Sequence, residues 1–218
     1  MNHHTIVRHL LGLAALLGLV GCAVTDPTQY YSLGQTVANT SSIARTAESA
    51  GRAPAPRSKP SETAVGIGIG PVIIPGYLDR TQIVTRTTVD HLHLATFHRW
   101  AEPLENGIAR ILGEEIGARI PTERIVMFPW RGLIGQSLQY QVVLAVIRFD
   151  GHLDGDVTLD TRWRILGKTG NELAYGRTTV TEPAGGSGYD PMIAALSSTL
   201  VVLGQEIAAE IKTLQGSK

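Results

Sequence analysis

The chain contains a single cysteine, Cys22, and the residues before it give its thiol a specific chemical context. Residues 19–22 read Leu-Val-Gly-Cys and close an apolar run that begins at Leu10, shortly after the charged residue Arg8. The run is too short to cross a bilayer core, which takes about 20 residues. A basic start, an apolar segment and a small-residue end are typical of a secretory signal. The sequence therefore predicts export, with cleavage near Cys22.

Residues 19–22 resemble the lipobox of bacterial lipoproteins. In that motif the cysteine thiol is diacylated, the signal is cut before the cysteine, and the new N-terminus receives a fatty acid such as palmitate. Cys22 would then be the first mature residue, and no thiol would remain for a disulfide, a metal or nucleophilic catalysis. At about 0.8 kcal/mol per buried CH₂, three acyl chains exceed the two signals that stable anchoring needs. The alternative is an ordinary signal peptide followed by a free thiol.

Other residues that could carry chemistry are few. His91 and His93 share one face of a predicted strand at a spacing that suits a metal, but His98 has the opposite parity and no third ligand is evident. Ser187 lies between two glycines without the strand and helix of a nucleophile elbow. The carboxylate pairs lack the apolar surroundings that make one of them a general acid. The sequence predicts no enzyme, no metal site and no cofactor, and favours a binding or assembly role.

Charge and length limit the classes of protein that fit this sequence. The 218 residues include 19 basic and 19 acidic side chains, and removing the signal, whose only charge is Arg8, leaves a net charge near −1. A nearly neutral chain lacks the electrostatic footprint of a nucleic-acid-binding protein. The mature part is long enough to bury one good hydrophobic core.

The predicted organisation is a signal peptide at residues 1–21, a lipidated tether at 22–28 and one domain at 29–218. Within that domain, residues 35–63 hold almost no large apolar side chains and are dominated by Ser, Thr, Ala, Pro and Gly. Such a run cannot bury enough surface to offset its ordering entropy, so we expect a mobile insertion there.

Several segments carry a strand signal. Residues 64–74 alternate Val65, Ile67 and Ile69 with glycines, which predicts a strand whose bare face another backbone or a large side chain can approach. Residues 138–149 are mostly apolar and are therefore expected at the centre of a sheet. Residues 156–165 alternate apolar with polar side chains, as in a strand with one face in water. Short turns join these two segments to residues 173–181, which predicts an antiparallel meander.

Two helices complete the predicted fold. Pro103 opens the first, and apolar residues recur every three or four positions until Pro121 stops it. The second has Asp190 as its predicted N-cap and Pro191 at its first position. The fold class is α+β, a mostly antiparallel sheet with two main helices packed on it, of which the C-terminal helix is long. Its apolar stripe consists of Ile193, Leu196, Leu200, Leu203, Ile207, Ile211 and Leu214.

Together these features resemble the PqiC/YmbA family of ABC-type transport auxiliary lipoproteins. The resemblance covers most of the mature chain in the expected order. This sequence departs from the family pattern in the insertion at 35–63 and at Thr81, where the family pattern has a proline. The residues that carry it are the lipobox cysteine; Tyr30, Tyr31, Ser32 and Leu33; Gly70 and Pro71; Tyr77, Leu78, Asp79, Arg80, Gln82, Ile83, Val84 and Arg86; Trp100, Ala101, Glu102, Pro103 and Leu104; Arg148, Phe149, Asp150 and Gly151; and Trp163.

The resemblance implies a non-enzymatic periplasmic lipoprotein that works with an MCE-domain protein and an inner-membrane permease to move lipids between the two membranes. Ala23 and Val24 differ from the aspartate that retains lipoproteins at the inner membrane, which favours a lipid anchor in the outer membrane. The resemblance also implies a homo-oligomeric ring that could receive the end of an MCE tunnel.

We expect the partner contact on an exposed surface of the domain. The candidates are the turn formed by Tyr77, Leu78, Asp79 and Arg80, an exposed strand edge, and the glycine-faced strand. Two other functions stay open: a monomeric lipoprotein that binds a lipid or another apolar ligand between sheet and helices, and a structural envelope protein. The transport role predicts an oligomer with a co-purifying MCE protein, and the ligand-binding role predicts a monomer with an extractable ligand. The structural role predicts neither.

Overall fold

A computed structural model describes residues 27–34, 65–122, 124–130, 132, 135 and 137–217. The predicted signal peptide, the predicted lipidation site Cys22 and the insertion predicted at 35–63 lie outside the described residues. The described part contains eight strands and two helices, and the four strands and two helices predicted above occur in the predicted order. They are β1 (Gln29–Tyr31), β2 (Ile67–Ile73), β3 (Gln82–Arg86), β4 (Leu92–Trp100), α1 (Leu104–Arg119), β5 (Ile125–Met127), β6 (Tyr140–Gly151), β7 (Asp156–Gly167), β8 (Glu172–Pro183) and α2 (Tyr189–Gly216).

Five strands form the larger sheet, in the order β5-β2-β6-β7-β8. The long ladders β6/β7 and β7/β8 are antiparallel, which confirms the predicted meander and the central place of β6. Strand β2 instead pairs in parallel with both of its neighbours, β5 and β6. The sheet is therefore mostly antiparallel with a short parallel half, and the α+β class is confirmed.

Three strands form the smaller sheet, in the order β1-β4-β3. Strand β1 runs parallel to the end of β4, so that Tyr31 pairs with Trp100. Strand β3 pairs antiparallel with β4 and also contacts β6 of the larger sheet. The smaller sheet thus links the N-terminal strand to the rest of the fold.

Both helices pack on one face of the larger sheet and against each other. In β7 the alternation is as predicted: Val157, Leu159, Thr161, Trp163 and Ile165 are buried, and the residues between them reach the other face. The stripe of α2 is buried from Ile193 to Ile211, while Leu214 is partly buried against the same core. Helix α2 is long and apolar enough to cross a membrane, yet 61% of its most apolar window is buried inside the fold.

The predicted N-cap of α2 is wrong by two residues. The helix begins at Tyr189, with Gly188 as its N-cap at a φ of 99°, a left-handed conformation that favours glycine. The backbone N–H of Gly188 donates to the carbonyl of Leu153 at 2.8 Å, which fixes the turn one residue before the helix. Asp190 therefore lies in the first turn, where its charge still interacts favourably with the helix dipole.

The bare glycine face predicted for β2 exists, and the chain itself covers it. A Cβ atom at Gly68 would lie 2.8 Å from Leu138 Cδ1 and 2.9 Å from Trp130 Cζ3. At Gly70, whose φ is 109°, a Cβ atom would lie 2.7 Å from the Cβ of Phe128. The prediction of a close approach by large side chains is confirmed, whereas this face is not free to receive a partner.

A second close approach fixes the β7/β8 half of the sheet. Trp163 packs its indole over Gly176 on the paired strand, and its Nε1–H donates to Thr178 Oγ1 at 2.9 Å. The hydroxyl of Thr178 in turn donates to Glu206 of α2 at 2.8 Å. This chain of hydrogen bonds ties α2 to the meander beneath it.

We predict that Gly176→Ala lowers the free energy of unfolding by about 1–3 kcal/mol, because the added Cβ would overpack the core. That Cβ would lie 2.4 Å from Trp163 Cζ2, and the indole is held in place by its hydrogen bond. Urea unfolding of the full-length protein measures the change. Gly76→Ala is the matched control, since its Cβ would have no neighbour within 4 Å. Equal stability of the two variants would show that the indole can move aside.

Candidate docking site

The turn between β2 and β3 divides the predicted contact residues into two pairs. The backbone N–H of Leu78 donates to Pro75 at 2.9 Å, and that of Arg80 donates to Leu78 at 2.8 Å, which closes the turn tightly. Leu78 is only 3% exposed and belongs to the core, and Tyr77 is half-buried. Asp79 and Arg80 are exposed. The second pair is therefore the more accessible to a partner, and Leu78 is not accessible without rearrangement.

Tyr77 anchors the turn to a buried carboxylate at the end of β6. Its hydroxyl donates to Asp150 Oδ2 at 2.9 Å. Arg86 of β3 donates to both oxygens of Asp150, from Nε at 2.8 Å and from Nη2 at 2.9 Å. Arg148 adds a further bond from its Nε at 2.9 Å. Four residues from three separate segments of the sequence thus meet at one point.

The side chain of Asp150 is fully buried, whereas those of Arg86 and Arg148 are 15% and 34% exposed. Burial alone would raise the pKa of Asp150, but the hydrogen bonds from Arg86, Arg148 and Tyr77 outweigh it and hold that pKa below its ordinary value. Burial, together with the nearby Asp150 charge, raises the pKa of Tyr77 to about 12. Asp150 is therefore an ionised structural acceptor at neutral pH and is not poised as a general acid.

The exposed half of the turn borders a groove of about 230 Å³. The backbone N–H of Trp100 donates to the carbonyl of Thr81 at 2.7 Å, which holds the end of β4 beside the turn. The segment from Trp100 to the first turn of α1 forms the other wall. The groove is lined by Asp79, Arg80, Thr81, Trp100, Ala101, Glu102, Pro103, Leu104 and Glu105.

An ion pair joins this wall to the N-terminal strand. Arg110 of α1 donates to Glu102 Oε1 at 2.8 Å and to the carbonyl of Leu33 at 2.7 Å. Leu33 is buried against α1, where it would touch a Cβ placed at Gly107. The backbone N–H of Ala101 donates to the carbonyl of Tyr31 at 2.7 Å. Strand β1 therefore runs directly beside the groove.

Most of the described residues that carry the family resemblance are buried or half-buried, and the exposed ones lie close together. Asp79, Arg80, Ala101 and Pro103 line the groove, and Tyr30 and Ser32 lie on or next to β1 beside it. Tyr30 is 65% exposed. The sequence pointed to Asp79 and Arg80, but it did not show that residues 100–105 complete the same site. The only signal was that both segments carry the resemblance.

The described histidines do not come together as a metal site. His91 and His93 are exposed at the start of β4, whereas His98 lies between Tyr31 and Tyr189. Its Nδ1 is 2.9 Å from the Tyr31 hydroxyl, and its ring stacks on Tyr189 at 3.8 Å between centroids. Among the described ranges, no group of three or more His, Cys, Asp or Glu side chains could hold a metal ion. His98 instead packs the N-terminal strand against α2.

Two crystal structures show this fold of two helices on a mixed sheet. The chain has a TM-score of 0.61 and 19% identity to an uncharacterized protein, covering 84% of this chain and 98% of that one. It has a TM-score of 0.59 and 16% identity to protein XCC0632 from Xanthomonas campestris, of the DUF330 family, covering 74% and 93%. No curated protein sequence matches the chain.

The described residues form an α+β protein with a buried ionic cluster around Asp150 and an exposed groove beside the turn between β2 and β3. The family model for the ABC-type transport auxiliary lipoprotein component matches residues 50–208. The chain belongs to this family, which confirms the resemblance that the sequence indicates. The family is one of transport auxiliary lipoproteins and not of enzymes.

We predict that Asp150→Asn lowers the free energy of unfolding by about 3 kcal/mol or more, because two arginines would lose their buried counter-charge. Urea unfolding at neutral pH measures the loss. Asp160→Asn is the control, since Asp160 pairs with Arg177, which is 57% exposed, and such surface pairs contribute about 0–1 kcal/mol. Similar losses in both variants would contradict a special role for Asp150.

The same carboxylate gives an expected pH dependence. Because the folded pKa of Asp150 is depressed, its contribution to stability is complete above the unfolded pKa, about 4, and is lost as the pH falls through the folded pKa. The stability of the wild type should therefore fall more steeply below pH 4 than that of Asp150→Asn. Parallel curves for the two proteins would contradict this assignment.

Proposed function

We propose that this protein is a lipid-anchored subunit at the periplasmic face of the outer membrane that serves an MCE-type intermembrane lipid transport system. In this role it binds an MCE-domain protein, which connects it to the inner-membrane permease. The observation that carries the proposal is the gathering of the exposed family-type residues around one groove. Residues needed only for folding would have no reason to share one exposed surface.

The chemistry of the groove suits a protein segment. Trp100 and Leu104 form a buried apolar floor, and Arg80 stands among three carboxylates, those of Asp79, Glu102 and Glu105. Tryptophan and arginine are enriched among the residues that dominate protein–protein binding energy. Mixed charges around an apolar floor favour a partner loop with one apolar anchor and complementary charges at the rim.

The position of the groove supports contact close to a membrane. If Cys22 is acylated, the chain from Cys22 to Pro27, the first described residue, spans at most about 18 Å. Strand β1 begins two residues later and runs beside the groove. The anchor would therefore hold the groove within a few tens of ångströms of the lipid surface.

We further propose that the protein forms a homo-oligomer. Strand β8 is a 12-residue strand at the edge of the larger sheet, and its outer row of backbone groups pairs with no other described strand. Long edges of this kind invite pairing with another chain unless they are protected. A second copy at this edge would leave the groove free for the MCE-domain protein.

Affinity isolation of the full-length lipoprotein from detergent-solubilised envelopes tests the docking site. The wild type should carry an MCE-domain protein, and Arg80→Glu should retain about tenfold less of it, because a charge at the contact is reversed. Lys212→Glu is the control, since Lys212 is exposed on α2 and does not line the groove. Equal recovery by both variants, or a bare wild-type monomer, would contradict the proposal.

Lipidation has its own test. Cys22→Ser should leave the signal attached and remove the protein from the detergent-extracted lipoprotein fraction, because a hydroxyl cannot accept the thioether-linked diacylglycerol. Mass spectrometry of the N-terminal peptide measures the acyl chains on the wild type and their loss in the variant. A wild-type N-terminus cut elsewhere, with a free Cys22 thiol, would support the ordinary signal peptide.

A further inference from the structure

The larger sheet leaves part of its second face uncovered. Helices α1 and α2 lie on the first face, and Trp130 and Phe128 cover the glycines of β2 on the second. Beyond that cover, strands β6, β7 and β8 form a groove of about 360 Å³, within the usual range of about 300–1,000 Å³ for small-molecule sites. Its lining consists of Ile73, Val143, Leu144, Ala145, Arg162, Trp163, Arg164, Glu172, Tyr175 and Gly176.

One part of this groove is apolar although it faces solvent. Ile73 at the end of β2 pairs with Ala145 and is 57% exposed, and Tyr175 of β8 is 76% exposed. Val143 lies two residues before Ala145 on the same face of β6. Burying these side chains against a hydrocarbon chain would be favourable, because it removes apolar surface from water.

The other part carries two arginines on neighbouring positions of one face. Arg162 and Arg164 are both exposed on β7, opposite Ala145 and Val143, and lie about 7 Å apart along the strand. Neither forms a salt bridge with another described residue, whereas Arg177 next to them is held by Asp160 in two hydrogen bonds. Among the described residues of the lining, only Glu172 is acidic, so the groove keeps a net charge of +1.

We propose that this groove binds an anionic membrane lipid, with the phosphate held by Arg162 and Arg164 and the upper part of one acyl chain on the apolar bed. Two arginines whose backbone positions lie about 7 Å apart on one face of a strand can both donate hydrogen bonds to one phosphate. The apolar residues begin directly beside the arginines, which is the arrangement of charge and hydrocarbon in a phospholipid. An acidic protein segment would not need the apolar bed, and free phosphate would not use it.

This inference is independent of the docking groove, because none of its residues lines that site. It also differs from a ligand enclosed between sheet and helices, where the described side chains form the hydrophobic core. The lipid would instead lie on the outer face of the sheet and remain in contact with solvent or with a second molecule.

Native mass spectrometry of the full-length protein, released from detergent micelles with added phosphatidylglycerol, tests the proposal. The wild type should retain phosphatidylglycerol about tenfold better than uncharged diacylglycerol, since the charged hydrogen bonds require the phosphate. Arg162→Gln and Arg164→Gln should each lose about tenfold of that retention. Lys212→Gln is the charge-matched control on α2 and should retain the wild-type amount.

A second variant tests the groove without changing its charge. Ala145→Phe would fill the apolar bed beside the arginines, and it should also reduce phosphatidylglycerol retention about tenfold. Circular dichroism of each variant checks that the fold is kept. Equal retention by all variants would overturn the proposal. So would equal retention of diacylglycerol and phosphatidylglycerol, or a dimer that depends on Arg162 and Arg164 and carries no lipid.

Discussion

A buried carboxylate fixes how the two sheets of this structure meet. Asp150 is fully excluded from solvent, and an unpaired charge in that position would cost several kcal/mol. The chain supplies Arg86 from the smaller sheet, Arg148 from the same strand and Tyr77 from the turn that precedes β3. The two sheets and the turn are consequently fixed relative to one another, and the exposed residues of that turn are held in one place.

This constraint explains why the family-type residues divide into two groups. The buried group builds the framework. Leu33 packs against α1, Trp100 is buried at the end of β4, and Trp163 is linked to α2 through Thr178 and Glu206. The exposed group, which includes Asp79 and Arg80, lies where that framework ends and surrounds the docking groove. The groove and the arginine-bearing face of the sheet are separate surfaces, so a protein partner and a lipid could bind at the same time.

Local patterns in the sequence predicted most elements because they depend on nearby residues. The sequence predicts three such features: the period of two in β7, the apolar stripe of α2 and the glycine face of β2. The structure confirms all three. The parallel pairing of β2 with β5 and β6 was not readable, since strand neighbours far apart in sequence leave no local period. The same limit hid the docking groove: Arg80 and Trp100 each stood out, but only the fold places Thr81 against the backbone of Trp100. The N-cap of α2 was predicted wrongly. Asp190 carries a capping signal, but the helix begins at Tyr189, after Gly188 in a positive-φ conformation that the sequence pattern does not show.

In the function proposed above, the groove beside the Tyr77–Asp150 anchor meets the transport partner. Site-specific photo-crosslinking in cells tests it most directly, with benzoylphenylalanine placed at Ala101 in the groove or at Lys212 on α2. Both positions are exposed in the described structure. We expect a light-dependent adduct with an MCE-domain protein from position 101 and none from position 212. An adduct from position 212 alone, or none from position 101 while the partner co-purifies, would contradict it.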